Sequence, residues 1–517
     1  AVNVQSVTIT PLTLLKGAAI GLGASVLAAI VPSWDATRTA PAGVMRRSTQ
    51  EEGARRLVPY VTAAAVALNL GGVLLLQIRT DIEQLGIIIS FFALFAIVVG
   101  SAFFTPIALI AVMKIATPIT DRLFGVLGRM APRAVTRSLS RTSVAVAALT
   151  VAISVIVGVS TMIGSFRNTV GDWLEATLGA DIFISSPLLT SNRAEVDVDP
   201  DVIQLVAAVD GVAQVATARS VYVTTPDYPD LPPANLIAGS VDIAGGGRRY
   251  IWLNEPEGVA EGDYWATLES GLISVSEPFA FRRGITPENN TLRLLTDEGP
   301  HTFTVGGVFY DYSTDQGVIF MADDEYRQFF DDPYISSVAA FIEPDADLNT
   351  VIDSIRAEAL GGYDLQAQSN RSLRTGVFEV FEQAFSITVA LRLLAMLVAF
   401  IGILSALMSL QLEQTRQYGL MRAVGLTPRQ LWNYTLIQTG LMGTTAGLLA
   451  LPVGLALAVV LVYVINVRSF GWTMEFSVLP DELLQAFAVA LLAALAAGLY
   501  PAWRLMKLVT AAALRSE

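Results

Sequence analysis

The sequence predicts a polytopic α-helical membrane protein of about seven spans with one α+β domain outside the membrane. Composition is the first reason. Of 517 residues, 53% are hydrophobic and only 15% charged, and the mean hydropathy is +0.55, too apolar for an ordinary soluble chain. The second reason is spacing. Apolar runs long enough to cross a ~30 Å hydrocarbon core fall at about 12–31, 58–78, 86–113, 142–165, 388–411, 433–466 and 482–503. Between the fourth and fifth lies a long stretch, 166–387, with alternating apolar residues, turn signals and most of the acidic residues. That stretch is the predicted domain.

Charge predicts the orientation. Cations gather in four segments: Arg38, Arg46, Arg47, Arg55 and Arg56; Lys114, Arg122, Arg129, Arg133, Arg137 and Arg141; Arg416, Arg422 and Arg429; and Arg504, Lys507 and Arg515. Counting spans between them puts all four on one side, which the positive-inside rule makes cytoplasmic. The acidic domain is then outside and the C-terminus inside. An odd span number starts the chain outside, and Ala1 opens neither a signal peptide nor a cytoplasmic leader. The expectation is that further sequence precedes it.

A possible internal repeat adds organisation. Shifting the chain by 469 residues aligns Pro11 with Pro480, Pro32 with Pro501, Trp34 with Trp503 and Arg46 with Arg515. Two membrane helices that leave lipid alike would give this, as would a duplicated permease half. The second reading divides the chain into 1–48, the last helix and exit of a first half; 49–128, two linker helices; 129–165, an amphipathic helix and first span; 166–387, the outer domain with a stalk; and 388–517, a three-helix membrane domain.

Arg129, Arg133, Arg137 and Arg141 recur at i, i+4 and should form one helical ridge. Anionic inner-leaflet headgroups would attract such a ridge, and a lever into the following helix is the sharper reading. At 415–443 the sequence reads TRQYGLMRAVGLTPRQLWNYTLIQTGLMG. Thr427-Pro428 marks a helix start, with a cap and a first-turn proline. Gly419 and Gly425 supply turns or close backbone approach, and Arg416, Arg422 and Arg429 can pair with carboxylates on a partner or anchor at headgroups. Gly440, Gly443, Gly447 and Gly454, with Pro452, give the next helix a small-residue packing face. The segment 372–394 continues helical spacing beyond lipid, as a rigid stalk would.

Several chemistries are excluded or weak. There is no G-x-x-x-x-G-K-[ST], so nucleotide is not held by a P-loop here. GGGRR at 245–249 reads as a turn. No cysteine is present and His301 is the only histidine, which removes thiol chemistry and His-rich metal sites; no metal ligands are proposed. The acids at 323–325 read as a solvated helix start rather than a cation loop. The basic patches all adjoin spans, so nucleic acid is not an expected partner.

The 129–158 segment and especially 415–430 resemble FtsX-like permeases, the membrane subunits of the MacB/LolC class of ABC transporters. Arg416, Gly419, Arg422, Ala423 and Gly425 stand where that family has its Arg, Gly, Arg-Ala and Gly. GADIFIS (179–185), VDGVAQV (209–215) and VGGVFYDYSTDQGVIFM (305–321) resemble its MacB-like periplasmic domain. The resemblance implies a coupling loop, with Thr427 and Arg429 at its end, that docks on a separate dimeric ABC ATPase carrying ATP and Mg. This chain would bind no cofactor. It also implies another permease half or second permease subunit, contact with membrane lipids, an extracytoplasmic adaptor in some members, and a bacterial plasma-membrane location. Gln417 and Gln438 replace glutamates common in the family, so no salt bridge is carried over to them. Export or extraction of a lipid, lipoprotein or peptide by mechanotransmission is the expectation; transmembrane signalling to a cell-wall hydrolase is the alternative.

Overall fold

The computed structural model describes residues 11–38, 47–78, 80, 83–187, 196–240, 250–255, 268 and 270–506. Helices α1 (Pro11–Arg38), α2 (Arg47–Leu76), α3 (Glu83–Ala102), α4 (Thr105–Phe124), α5 (Val126–Arg137) and α6 (Leu139–Thr177) precede the sheet domain. After it come α11 (Asn370–Ala423), α12 (Pro428–Val460) and α13 (Pro480–Met506). Among the described residues, five segments are long and apolar enough to span a membrane: Arg55–Leu76, Gln84–Phe124, Leu139–Thr177, Pro428–Phe470 and Pro480–Arg504. The two remaining expected runs lie within α1 and α11. The run expected as one span at 86–113 is divided between α3 and α4. The helix breaks at Phe103–Phe104, where Pro106 can follow because the first turn needs no amide donor. Helix α13 begins at Pro480, and Pro11, its partner in the 469-residue shift, is the first described residue and lies in α1. Arg46, Lys507, Arg515 and the glycine run 245–249 lie outside the described residues.

Helix α12 is the centre of the membrane part, between α6 and α13. Gly443, Gly447 and Gly454 let it come close. A Cβ at Gly443 would stand 2.6 Å from the Ala494 Cβ, and one at Gly447 would stand 2.7 Å from the Phe487 ring. At Gly454 it would meet the Val157 Cβ at 2.5 Å and the Ser154 carbonyl at 2.8 Å. The α13 face opposite is correspondingly small, with Ala486, Ala490, Ala494 and Ala497 all buried. In lipid no hydrophobic force drives helices together, so this close packing supplies the cohesion. The chain passes through Pro452 as helix, and the regular pattern first changes at a π-helical segment, Leu461–Asn466, followed by a last turn Val467–Phe470.

The folded domain is a mixed ten-stranded sheet with short helices on it. Its strands are β1 (Ile182–Ser185), β2 (Val212–Val223), β3 (Ala234–Gly239), β4 (Trp252–Asn254), β5 (Ile273–Ser276), β6 (Thr291–Thr296), β7 (Gly299–Phe309), β8 (Val318–Ala322), β9 (Ser337–Ile342) and β10 (Gln366–Ser369). They run in the order β10-β1-β9-β2-β3-β8-β5-β7-β4, with β6 paired to β7. The pairs β3/β8 and β5/β7 are parallel and the others antiparallel. The long β2 serves two lobes: its first half pairs with β9 and its second half with β3. One apolar core lies beneath β1, β9 and helices α7 (Asp201–Ala207) and α10 (Leu348–Ser354). The other gathers β3, β5 to β8, α8 (Glu277–Arg283) and α9 (Asp323–Phe329). Asp323, Asp324 and Glu325 form the first turn of α9, favourable at a positive helix end, and Asp323 pairs with Arg327 at 2.8 Å.

Two helices, not one, connect domain and membrane. The predicted stalk is the start of α11, capped by Ser369, which accepts from the Ser372 amide. Helix α6 also continues past the expected boundary at 166, to Thr177. The two are joined by Arg374–Glu175 at 3.4 Å and by Arg167 over the Phe378 ring at 5.8 Å. At ~1.5 Å per residue, the 54 residues of α11 extend well beyond a ~30 Å hydrocarbon core.

Candidate functional site

At the end of the bundle away from the sheet, α11 and α12 meet in a tight hairpin. Gly425 has φ +109°, a conformation that disfavours side chains. The Leu426 amide donates to the Met421 carbonyl at 3.0 Å, and the Gly425 amide to the Arg422 carbonyl at 3.1 Å. Those two bonds are the helix stop that glycine permits. Immediately afterwards Thr427 starts α12. Its hydroxyl accepts from the Gln430 amide, and the Thr427 amide donates to Gln430 Oε1 at 2.9 Å, a complete capping box. The helix start at Thr427-Pro428 therefore stands as read from sequence.

The expected loop is shorter than the resemblance implied. Arg416, Gly419, Arg422 and Ala423 belong to the last turns of α11, and only 424–427 connect the helices. Gly419 is buried, whereas Ala423, Gly425, Thr427 and Arg429 are exposed and Arg422 is partly buried; the Arg416 side chain lies outside the described set. Sequence reasoning missed an apolar knob, in which Leu420 is 60% and Val424 80% exposed. Beneath it Tyr418 and Tyr434 are buried edge to face, with centroids 6.4 Å apart at 72°. The tip is thus a rigid apolar point with Arg422 and Arg429 beside it, on a packed base.

The basic ridge is interrupted. Arg129, Arg133 and Arg137 are exposed on α5, while Gly128, Ala131, Pro132 and Val135 are buried on its other face. Arg141 is on α6, beyond a break at Ser138 with φ −109° and ψ 40°, and is partly buried. The expected four-arginine row is therefore three arginines on a short amphipathic helix and one on its neighbour. Pro132 withdraws the usual donor from the Gly128 carbonyl, and the Thr120 hydroxyl replaces it at 2.7 Å.

At the opposite end, the loop 471–479 joins membrane helices to the sheet domain. The Glu277 carboxylate accepts from the Thr473 amide at 2.8 Å and hydroxyl at 3.3 Å. The Tyr312 hydroxyl donates to the Thr473 carbonyl at 3.0 Å. The Glu475 amide donates to the Thr169 hydroxyl, and the Ser477 amide to Ser165, each at 3.0 Å. Trp472 lies between Tyr312 and Phe470, with centroids at 5.7 and 5.4 Å. Burial raises the Glu277 pKa despite the two bonds from Thr473. These contacts use backbone amides and common hydroxyls, which leave no pattern in a sequence.

Arg468 ties the α2–α3 hairpin to this end. Its two terminal nitrogens donate to the carbonyls of Leu76, Ile78 and Gly86 at 2.7, 3.0 and 3.2 Å and to the Ser90 hydroxyl at 2.8 Å. A cleft of about 770 Å³ opens beside it, lined by Leu76, Tyr463, Val464 and Phe281 and by Arg282, which pairs with Asp315 at 3.6 Å. Among the described residues, no cluster of three or more His, Cys, Asp or Glu could hold a metal ion. His301 lies against Phe329 and Phe303, with centroids at 4.2 and 4.8 Å.

Residues 389–510 match the family of FtsX-like permease C-terminal domains, so that part of the chain is an FtsX-like permease domain. Over its whole length the chain is 41% identical to an uncharacterized ABC transporter permease protein of Mycobacterium tuberculosis, of which it spans 59%. Over 128 residues, 25% of this chain and 17% of the other, it is 29% identical to the macrolide export ATP-binding/permease protein MacB of Syntrophobacter fumaroxidans. Similar solved structures are the periplasmic region of MacB from Actinobacillus actinomycetemcomitans and the extracellular domain of the transporter YknZ from Gram-positive bacteria. The first has 12% identity and a TM-score of 0.27, covering 38% of this chain and 94% of that one; the second has 15% and 0.27, covering 37% and 99%.

Proposed function

We propose that the chain is part of the permease of an ABC transporter and moves a hydrophobic or amphipathic substrate (a lipid, lipoprotein or peptide) using ATP hydrolysed by a separate dimeric ATPase. In this reading the protein sits in a bacterial plasma membrane, with the sheet domain outside and the C-terminus in the cytoplasm. The observation that carries it is helix α11. A single helix starts at the edge of the sheet and ends in the exposed tip at Arg422–Gly425. Movement of the tip on an ATPase would therefore reach the sheet domain through one rod, braced by α6. Mechanotransmission needs that connection and needs no polar pore. The chain's own ATP chemistry is not invoked, and ATP and Mg belong to the partner. The remaining permease half, an adaptor at the sheet domain and lipid around the bundle complete the assembly.

The cleft lined by Leu76, Tyr463, Val464 and Phe281 together with Arg282 and Arg468 sets apolar surface beside polar groups, which suits an amphiphile better than a sugar or ion. The signalling alternative draws on the same rod, since a sheet domain moved by ATP hydrolysis could equally switch an outer partner such as a cell-wall hydrolase. Reconstitution with the co-purified ATPase separates them. ATP-dependent release of labelled lipid or peptide supports transport; ATP hydrolysis without release, coupled to activation of a bound hydrolase, overturns it.

A further inference from the structure

We infer that the cleft between α2, α4 and α5 is a binding site for an anionic glycerophospholipid of the surrounding membrane. Arg55, Lys114 and Arg133 come from three different helices to line one cleft of about 520 Å³, whose lining residues include no carboxylate. All three side chains are exposed. Arg55 is oriented by donation to the Thr136 carbonyl at 3.0 Å, a neutral acceptor, and no ion pair to Arg55, Lys114 or Arg133 exists among the described residues. Three like charges brought together repel one another, and the natural remedy is a bound anion.

The rest of the cleft identifies the anion. Val58, Pro59, Ile110 and Met113 form an apolar wall beside the cations. On α2, Arg55 and Arg56 are the last charges before the uncharged stretch from Leu57 to Leu76, so the cations stand at the edge of the hydrocarbon and the wall runs into it. A free phosphate or nucleotide would leave that wall unused. A lipid with a phosphate at the cations and acyl chains along the wall uses both halves, the arrangement by which basic pockets between membrane helices hold anionic headgroups. The site lies at the far end of the molecule from the sheet domain, packed on the base of the α11–α12 hairpin through α5 and α12. A lipid there would fix the amphipathic helix against the bundle. The inference is independent of the transported substrate and of whether the protein transports or signals.

The test uses the full chain in phosphatidylcholine nanodiscs, titrated with phosphatidylglycerol and read by native mass spectrometry and thermal melting. Wild type should retain phosphatidylglycerol over phosphatidylcholine and melt higher with it, and inorganic phosphate at equal concentration should do neither. The double variant Lys114→Gln/Arg133→Gln should lose at least tenfold in apparent affinity, Arg133→Lys should keep most of it, and Arg122→Gln, a cation of α4 outside the cleft, should be unchanged. Equal retention by the double variant, indifference to headgroup charge, or an equal effect of inorganic phosphate would overturn the assignment. If the double variant does not fold, loss of the lipid-dependent shift in Lys114→Gln alone decides the matter in the same way.

Discussion

The two ends of helix α12 are built on opposite principles. Its first residues, Thr427 to Gln430, are exposed and held only by the capping box and the glycine stop before it. Its far end runs into a loop whose backbone is bonded to the stalk helix α6 and to the sheet domain through Thr169, Ser165, Glu277 and Tyr312. One end is shaped locally and offered outward. The other is defined by its partners. In the proposed mechanism, α12 is a second route beside α11 by which a push at the tip would reach the sheet domain, provided that its middle does not yield. The close contacts of Gly443, Gly447 and Gly454 with α13 and α6 supply that stiffness.

The largest expected effect is at the exposed end. Arg422→Glu should abolish association with the ATPase while leaving expression and membrane insertion unchanged, because reversal of charge at the tip opposes docking. Co-purification reads this, and unaltered association would break the comparison at its outward end. In the middle, Gly454→Val places side-chain atoms against Val157 and the Ser154 backbone, and overpacking should cost about 1–3 kcal/mol, measured as a lower melting temperature in detergent. At the bonded end, Glu277→Ala removes the acceptor of the part-buried Thr473 amide and hydroxyl, a loss of about 1–3 kcal/mol, and should separate ATP hydrolysis from sheet-domain movement. Thr427→Ala removes only a cap, about 1 kcal/mol, and should shift melting least.

Glu277 also gives the bonded end a pH signature. Its pKa is raised in the folded protein by burial, so its charged form carries a cost that is present above that pKa. Acidification from neutrality toward the ordinary carboxylate range relieves the cost and stabilises the joint. Glu277→Gln keeps an acceptor without the charge, and its melting temperature should vary less with pH across that window. Asp332 has the opposite sign. Burial raises its pKa, but hydrogen bonds from Arg219 and Tyr326 outweigh burial and lower it; the stability this adds persists at neutral pH and is lost only as pH falls through the lowered value.

What the sequence disclosed follows the same division. Thr427-Pro428 was legible because capping chemistry is local, and the packing glycines were legible because small residues at helical spacing have few other uses. The stalk at 372–394 showed as continued periodicity. The break at Ser138 that separates Arg141 from the other three arginines had no signal, since serine sits equally well inside a helix or at its edge. The continuation of α6 to Thr177 was hidden by Arg167, Asp172 and Glu175, which read as the start of a soluble domain. The 471–479 joint was invisible because its specificity lies in which distant groups its amides meet. Arg468 was the one available clue there, an isolated cation at the end of the bundle nearest the sheet domain, and its four acceptors come from α2, α3 and the turn between them.

The absence of cysteine from all 517 residues makes one measurement particularly clean. With Val424→Cys, 80% exposed at the tip in the parent side chain, these 517 residues carry a single thiol. A short thiol-to-amine crosslinker in native membranes should join it to a polypeptide bearing an ATP-binding motif, with a yield that changes with nucleotide, and membrane-impermeant maleimide applied from outside should not reach it. Labelling from outside, or no adduct with an ATPase while the protein is intact, would contradict the account of the tip as the coupling point.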